Sequence, residues 1–222
     1  EMCIRDSHPS EAVTLRELLH DPGDHLREVE KRAAAQFGGK AGLHLTDKLA
    51  DGKLVVDQGI IAGCAGGMYD NIAEAAAILS GHDTGSGYFS LSVYPPSVPV
   101  NLELMENGVQ QSLLASGALF KPCFCGPCFG AGDVPANNGL SIRHTTRNFP
   151  NREGSKPADG QLAGVILMDA RSIAATARNH GILTSAADVD YTPPAPVQRR
   201  FDRAVYDRRV YFCLLYTSDA AD

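Results

Sequence analysis

Hydrophobic positions along this chain change period repeatedly, and each change marks a predicted element. In residues 10–37, Leu26, Val29, Ala33 and Phe37 fall on one helical face with charged residues opposite. Pro22-Gly23 interrupts that run and Gly38-Gly39 stops it. After a loop rich in Gly and Asp, Leu54-Val55-Val56 and Gly59-Ile60-Ile61 read as strand, ending at Gly63-Cys64. The period then becomes helical: Met68, Ile72, Ala75 and Leu79 line one face, with Gly81 at the expected cap. Phe89, Leu91 and Val93 alternate as a strand that Pro95-Pro96 ends. A helix from about Pro99 should turn Leu102, Met105, Val109 and Leu113 inward and finish at Gly117. Leu140 to Thr145 alternates again, and the apolar run Gly164 to Met168 has the character of a buried parallel strand. A last helix, Ala170 to His180, is capped by Gly181.

Strand and helix alternating in this way predict an α/β fold of three layers, α/β/α, with a largely parallel sheet. Cys64 falls on a strand-to-helix turn, and in open α/β sheets ligands collect at such turns. The core domain is expected over 53–184, preceded by an incomplete helical region over 8–52. Beyond Thr184 the chain becomes Pro-rich and charged, as in Pro193-Pro194-Ala195-Pro196, so 185–212 reads as a linker toward a missing C-terminal domain.

Composition narrows the function classes. The chain is 44% hydrophobic and 21% charged, ordinary for a soluble globular protein, and no apolar run approaches the ~20 residues of a membrane-spanning helix. The expected compartment is the cytoplasm. Residues 1–7 and 213–222 resemble translated sequencing-adapter ends, so both are set aside as non-native and expected to be disordered or arbitrarily placed. Their removal leaves 19 basic and 22 acidic residues, a net charge of −3 in place of −6. That balance argues against a nucleic-acid partner, which would call for a basic patch. Six cysteines become four: Cys64, Cys123, Cys125 and Cys128. His8, His20, His25, His44, His82, His144 and His180 show no metal-ligand spacing and are expected on the surface or in loops.

Four cysteines in two places read as a ligand set more than a secreted disulfide framework. Cys125-Gly126-Pro127-Cys128 also matches the thioredoxin redox motif, but there the motif opens a helix that lowers the first thiol's pKa. Here Phe129-Gly130-Ala131-Gly132-Asp133-Val134-Pro135 follows, which cannot sustain that helix. A four-thiolate zinc site is a further alternative, although Cys-x-Cys-x-x-Cys crowds three ligands together. Simple burial of small thiols is the plainest one. Three thiolates from distant loops, Cys64 and the pair, suit an iron–sulfur cluster with one iron left free. Cys123 should point away from its neighbour and pack.

The wider motifs resemble the aconitase and isopropylmalate-isomerase family, in its large-subunit or third-domain portion. The family's Gly-Ser-Cys-Thr-Asn-Ser turn is matched by Ala62-Gly63-Cys64-Ala65-Gly66-Gly67, and its following Tyr-Asp by Tyr69-Asp70. Its Cys-Gly-Pro-Cys-x-Gly stands as Cys125 to Gly130. Its Asn-Arg-Asn-Phe-x-Gly-Arg appears as Thr146-Arg147-Asn148-Phe149-Pro150-Asn151-Arg152. The resemblance covers about residues 53 to 184.

It implies that Cys64, Cys125 and Cys128 bind a [4Fe–4S] cluster whose open iron is a Lewis acid. It implies that Arg147 and Arg152 hold the carboxylates of a hydroxy-di- or tricarboxylic acid, a task suited to the guanidinium fork. The activity expected is that of a hydro-lyase or isomerase; the alternative is a cluster-binding or RNA-binding regulatory relative without turnover. The family's swivelling domain, with its serine and further arginine, has no counterpart here, so its partners would be the remaining domains of a longer chain. The segment alone is expected to be inactive. Ala65-Gly66-Gly67 replaces Thr-Asn-Ser, and Thr146 replaces an asparagine, which removes polar side chains beside the expected cluster.

Overall fold

A computed structural model describes residues 2–4, 12–38, 42–146, 160–200 and 202–207. The first helical run is two helices. Thr14 caps α1 (Leu15–His20) through a reciprocal box: its hydroxyl accepts from the Glu17 N–H at 3.2 Å, and Glu17 Oε2 accepts from the Thr14 N–H at 2.8 Å. Asp21 ends α1 and caps α2 (Pro22–Phe37), with Pro22 in the first turn, where a missing N–H costs nothing. Leu26, Val29 and Ala33 are buried as their spacing predicts, and Gly38 closes α2 in the left-handed conformation.

The expected strand over 54–56 belongs elsewhere than the main sheet. Leu49–Ala50 (β3) and Lys53–Leu54 (β4) form a separate antiparallel ribbon, turned by Asp51 and Gly52 at φ 50° and 75°.

Five parallel strands form the body of the fold: β5 (Gln58–Ile61), β6 (Ser90–Val93), β7 (Leu119–Phe120), β8 (Leu140–His144) and β9 (Gly164–Leu167). Their spatial order is β9-β8-β5-β6-β7. Beyond β9 lie β1 (Met2–Ile4) and then β2 (Ala12–Val13), both antiparallel, so part of the terminus expected to be disordered or arbitrarily placed pairs with the sheet. Between strands run α3 (Gly63–Gly66), α4 (Tyr69–Leu79), α5 (Val98–Glu106) and α6 (Val109–Ala115), and α7 (Ala170–Arg178) follows β9. With helices flanking a largely parallel sheet, the fold is three-layer α/β/α, as the alternation predicts.

Two helical details differ from the sequence reading. The single helix over 99–117 is broken at Gly108, φ 73°, so Leu104 turns inward while Met105 is 54% exposed. Met68 is the N-cap of α4 and lies half exposed instead of facing the core. The Pro-rich stretch after Thr184 carries a 3-10 turn (Ala186–Asp188) and then runs without regular structure to residue 200. Tyr191 donates to Glu74 at 2.6 Å, and the Arg199 guanidinium lies over the Tyr69 ring and pairs with Asp70.

Strand register sorts side chains onto two faces. Gln58 aligns with Ser90 and Ser141, Ile60 with Ser92 and Arg143, and Ile61 with Val93 and His144. Ile61, Leu91, Ile142 and Ile166 therefore share a face, and they join α4 and α7 in one apolar core. The other face carries Gln58, Ser92, Ser141 and Arg143 beside a small separate cluster of Ile60, Ala62 and Tyr94.

Candidate metal centre at the carboxyl edge

Chain order reverses around β5: β6 and β7 lie on one side, β8 and β9 on the other. The exits of β5 and β8 thus flank a switch point, where the flanking connections diverge and leave a crevice. From β5, Ala62 leads into Gly63, φ 79°, and the short α3 that carries Cys64. From β8, the chain reaches Thr146, whose Oγ1 stands 3.2 Å from Cys64 Sγ. The loop after β7 brings Cys123, Cys125 and Cys128 to the same edge.

Glycine makes this convergence possible. A Cβ on Gly63 would lie 2.6 Å from Cys128 Sγ, one on Gly66 1.8 Å from the His144 carbonyl, and one on Gly67 2.3 Å from the Tyr94 carbonyl. The backbone of the Cys64 turn is wedged against β6, β8 and the second cysteine element. At Gly66 and Gly67 this packing leaves no room for a side chain.

Cys125-Gly126-Pro127-Cys128 forms a 3-10 turn over Gly126–Cys128 and does not open a helix. The Cys128 N–H bonds the Cys125 carbonyl at 3.2 Å, and the Phe129 and Ala131 N–H groups bond that of Gly126 at 3.0 and 2.9 Å. Without a helix N-terminus, the usual source of a depressed thiol pKa is missing. The Cys125 thiol is instead pushed up, first by burial and then by the hydrogen bond and charge of Cys128 and the charge of Cys64. Those contributions tie all three sulfurs into one electrostatic neighbourhood. Cys64, Cys123, Cys125 and Cys128 are all free thiols.

Cys123 is half-buried. With Cys125, Gly63, Phe124 and Pro95-Pro96 it lines a cavity of about 110 Å³. Phe124 and Phe129 meet edge to face at 6.1 Å, each half exposed at the mouth of the loop. Among the described residues, no group of three or more His, Cys, Asp or Glu side chains could hold a single metal ion. A four-iron cluster asks for a wider set, because each cysteine binds a different iron. Three free thiols from two segments, one from the Cys64 turn and two from the loop after β7, fit that requirement in chemistry. Arg147 and Arg152 lie outside the described residues.

Several residues around the site carried no expected role. Arg143 is 1% exposed, and its guanidinium donates into the cysteine loop. Tyr94 donates to Asp133 Oδ2 at 2.6 Å, and burial together with that bond holds its hydroxyl far above the usual phenol range. His144, expected on the surface or in a loop, ends β8 half-buried with its Nδ1 buried and unpartnered among the described residues. Burial lowers its pKa against the opposing charge of Asp169, which favours the neutral imidazole. An arginine and a histidine within an alternating strand were the available signals.

A family model described as Aconitase family (aconitate hydratase) matches residues 2–175. The 3-isopropylmalate dehydratase large subunit of Bifidobacterium longum subsp. infantis is 29% identical over 189 residues, covering 82% of this chain and 38% of that protein. The large subunit of Nitratidesulfovibrio vulgaris is 30% identical over 59% of this chain and 31% of its own length. Large subunit 2 of Pyrococcus furiosus is 35% identical over 50% of this chain and 29% of its own. The chain thus spans well under half the length of these relatives. No helix among the described residues is long and apolar enough to cross a membrane.

Proposed function

The chain belongs to the aconitase family, and from that premise we propose that it is the cluster-bearing part of a hydro-lyase acting on a hydroxy-di- or tricarboxylic acid. The observation that carries this reading is the meeting of Cys64 with the Cys125–Cys128 loop at the switch point, close enough that Gly63 has no room for a side chain. Cys64, Cys125 and Cys128 would hold a [4Fe–4S] cluster. When bound, that cluster supplies a Lewis acid that activates a substrate hydroxyl toward loss or addition of water. The Thr146 hydroxyl, in contact with Cys64 Sγ, orients that thiol. Arg147 and Arg152 bind substrate carboxylates, for which a planar bidentate donor is suited. The relatives are named large subunits, and the rest of the substrate site is taken to come from outside this chain, from further domains or a companion subunit. A cytoplasmic location belongs to the same proposal. Thiol-disulfide exchange is disfavoured by the raised Cys125 thiol and the missing helix.

Anaerobic reconstitution with ferrous iron and sulfide tests the reading. The expected result is a broad visible absorbance, with a three-iron EPR signal after mild oxidation. Cys64→Ser, Cys125→Ser and Cys128→Ser should each abolish it, and Cys123→Ser should not. Stoichiometric zinc without a chromophore would overturn the proposal.

A further inference from the structure

We infer that Arg143 is the positioning residue of the cysteine loop, and that it sets where Cys125 and Cys128 stand relative to Cys64. The inference deepens the proposed function and rests on it for the role of the thiols. Arg143 heads the largest fully buried side chains of the described structure. A buried guanidinium is tolerable only where its donors are used. Its Nε donates to Ser141 Oγ at 2.9 Å, its Nη1 to the Pro127 carbonyl at 3.1 Å, and its Nη2 to the Asp133 carbonyl at 3.2 Å.

Pro127 lies between the two cysteines of the motif, and Asp133 ends the glycine-rich stretch after them. One side chain therefore grips the loop at both ends. Neighbouring groups brace the second grip. Gln58 Nε2 donates to the same Asp133 carbonyl at 3.0 Å, Tyr94 donates to the Asp133 carboxylate, and Gln58 Oε1 accepts from Ser141 at 2.9 Å. Gln58 belongs to β5, the strand that ends at the Cys64 turn, and Arg143 pairs in register with Ile60 of β5. The grip is thus referred to the strand that carries Cys64, through a rigid sheet. The fork is essential to this geometry. A lysine ammonium keeps the charge but cannot reach a serine, a proline carbonyl and an aspartate carbonyl in one plane.

Hydrogen exchange on the full chain tests the inference without requiring a loaded site. In Arg143→Met, protection of the Cys128, Phe129 and Ala131 amides should fall by about tenfold or more, the scale of losing a charge-assisted hydrogen bond. The β5 amides should keep theirs, a pattern that a general loss of stability would not give. Arg143→Lys should not restore loop protection, although the charge is kept. Equal loss of protection in loop and sheet, or unchanged protection in the loop, would overturn the inference. Loss of cooperative unfolding in both variants would assign Arg143 to the fold as a whole and overturn it too. In the reconstituted protein, both variants should hold iron about 10–100-fold less tightly in a chelator competition, the typical cost of losing a residue that supports metal ligands. A wild-type chain that takes up no cluster while the exchange pattern holds would remove the proposed function and leave the loop assignment standing.

Discussion

Alternate residues of the same five strands face opposite ways, and the two faces they build differ in kind. Ile61, Leu91, Ile142 and Ile166 meet α4 and α7 in a dry core held by burial. Gln58, Ser141 and Arg143 meet a loop instead, and directional hydrogen bonds hold it. Burial is large but indifferent to small rotations; hydrogen bonds are modest in net energy yet fix angle and distance. The first face keeps the domain folded. The second decides where two thiols point.

Breaking the apolar face should give the largest effect. Ile142→Ala, at a fully buried position, should lower unfolding free energy by about 2–5 kcal/mol in a denaturant titration. Exchange in the cysteine loop should rise only in step with the sheet. A loss near zero would show that burial on this face is not the source of stability. Next comes Gly66→Ala, where the new methyl would collide with the His144 carbonyl. Overpacking of this kind costs about 1–3 kcal/mol. Here it should also shift Cys64, so cluster uptake should fall further than stability does.

The smallest effect concerns Asp169, whose Oδ1 caps α7 by accepting from the Arg171 and Ser172 N–H groups at 3.0 and 3.1 Å. Burial would raise its pKa, but the Ser172 hydrogen bonds and the Arg171 charge outweigh it and hold the carboxyl below its ordinary range. Asp169→Ala should cost about 1 kcal/mol at neutral pH. Because the folded-state pKa is the lower one, that contribution is complete above the unfolded value. It fades as pH falls through about 3.9 toward the lowered value. A gap between the two proteins that stays constant into acid would show that the carboxylate charge has no part in capping.

The parallel sheet was legible because its signals are local: an apolar run at Gly164 to Met168, alternation at Leu140 to Thr145, and glycines where helices stop. The placement of Cys64 on a turn followed from the same change of period. Met68, Met105 and the break at Gly108 were not legible, since a spacing compatible with one continuous helix is also met by two. Arg143 escaped notice for a different reason. Alternation assigns residues to faces but cannot say that one face will be roofed by a polar loop. Only the roof turns a buried arginine from an anomaly into a clamp.

The crowding at Gly66 and Gly67 bears on how such a turn can change over generations. Each position is pressed against a different neighbouring carbonyl, one from the end of β8 and one just past β6. An asparagine placed at 66 alone, or a serine at 67 alone, would press against that backbone. Either change alone therefore carries an overpacking cost that only a shift of the neighbouring backbone relieves. A graft of the side-chain form of this turn would have to carry the β6 and β8 exits along with it.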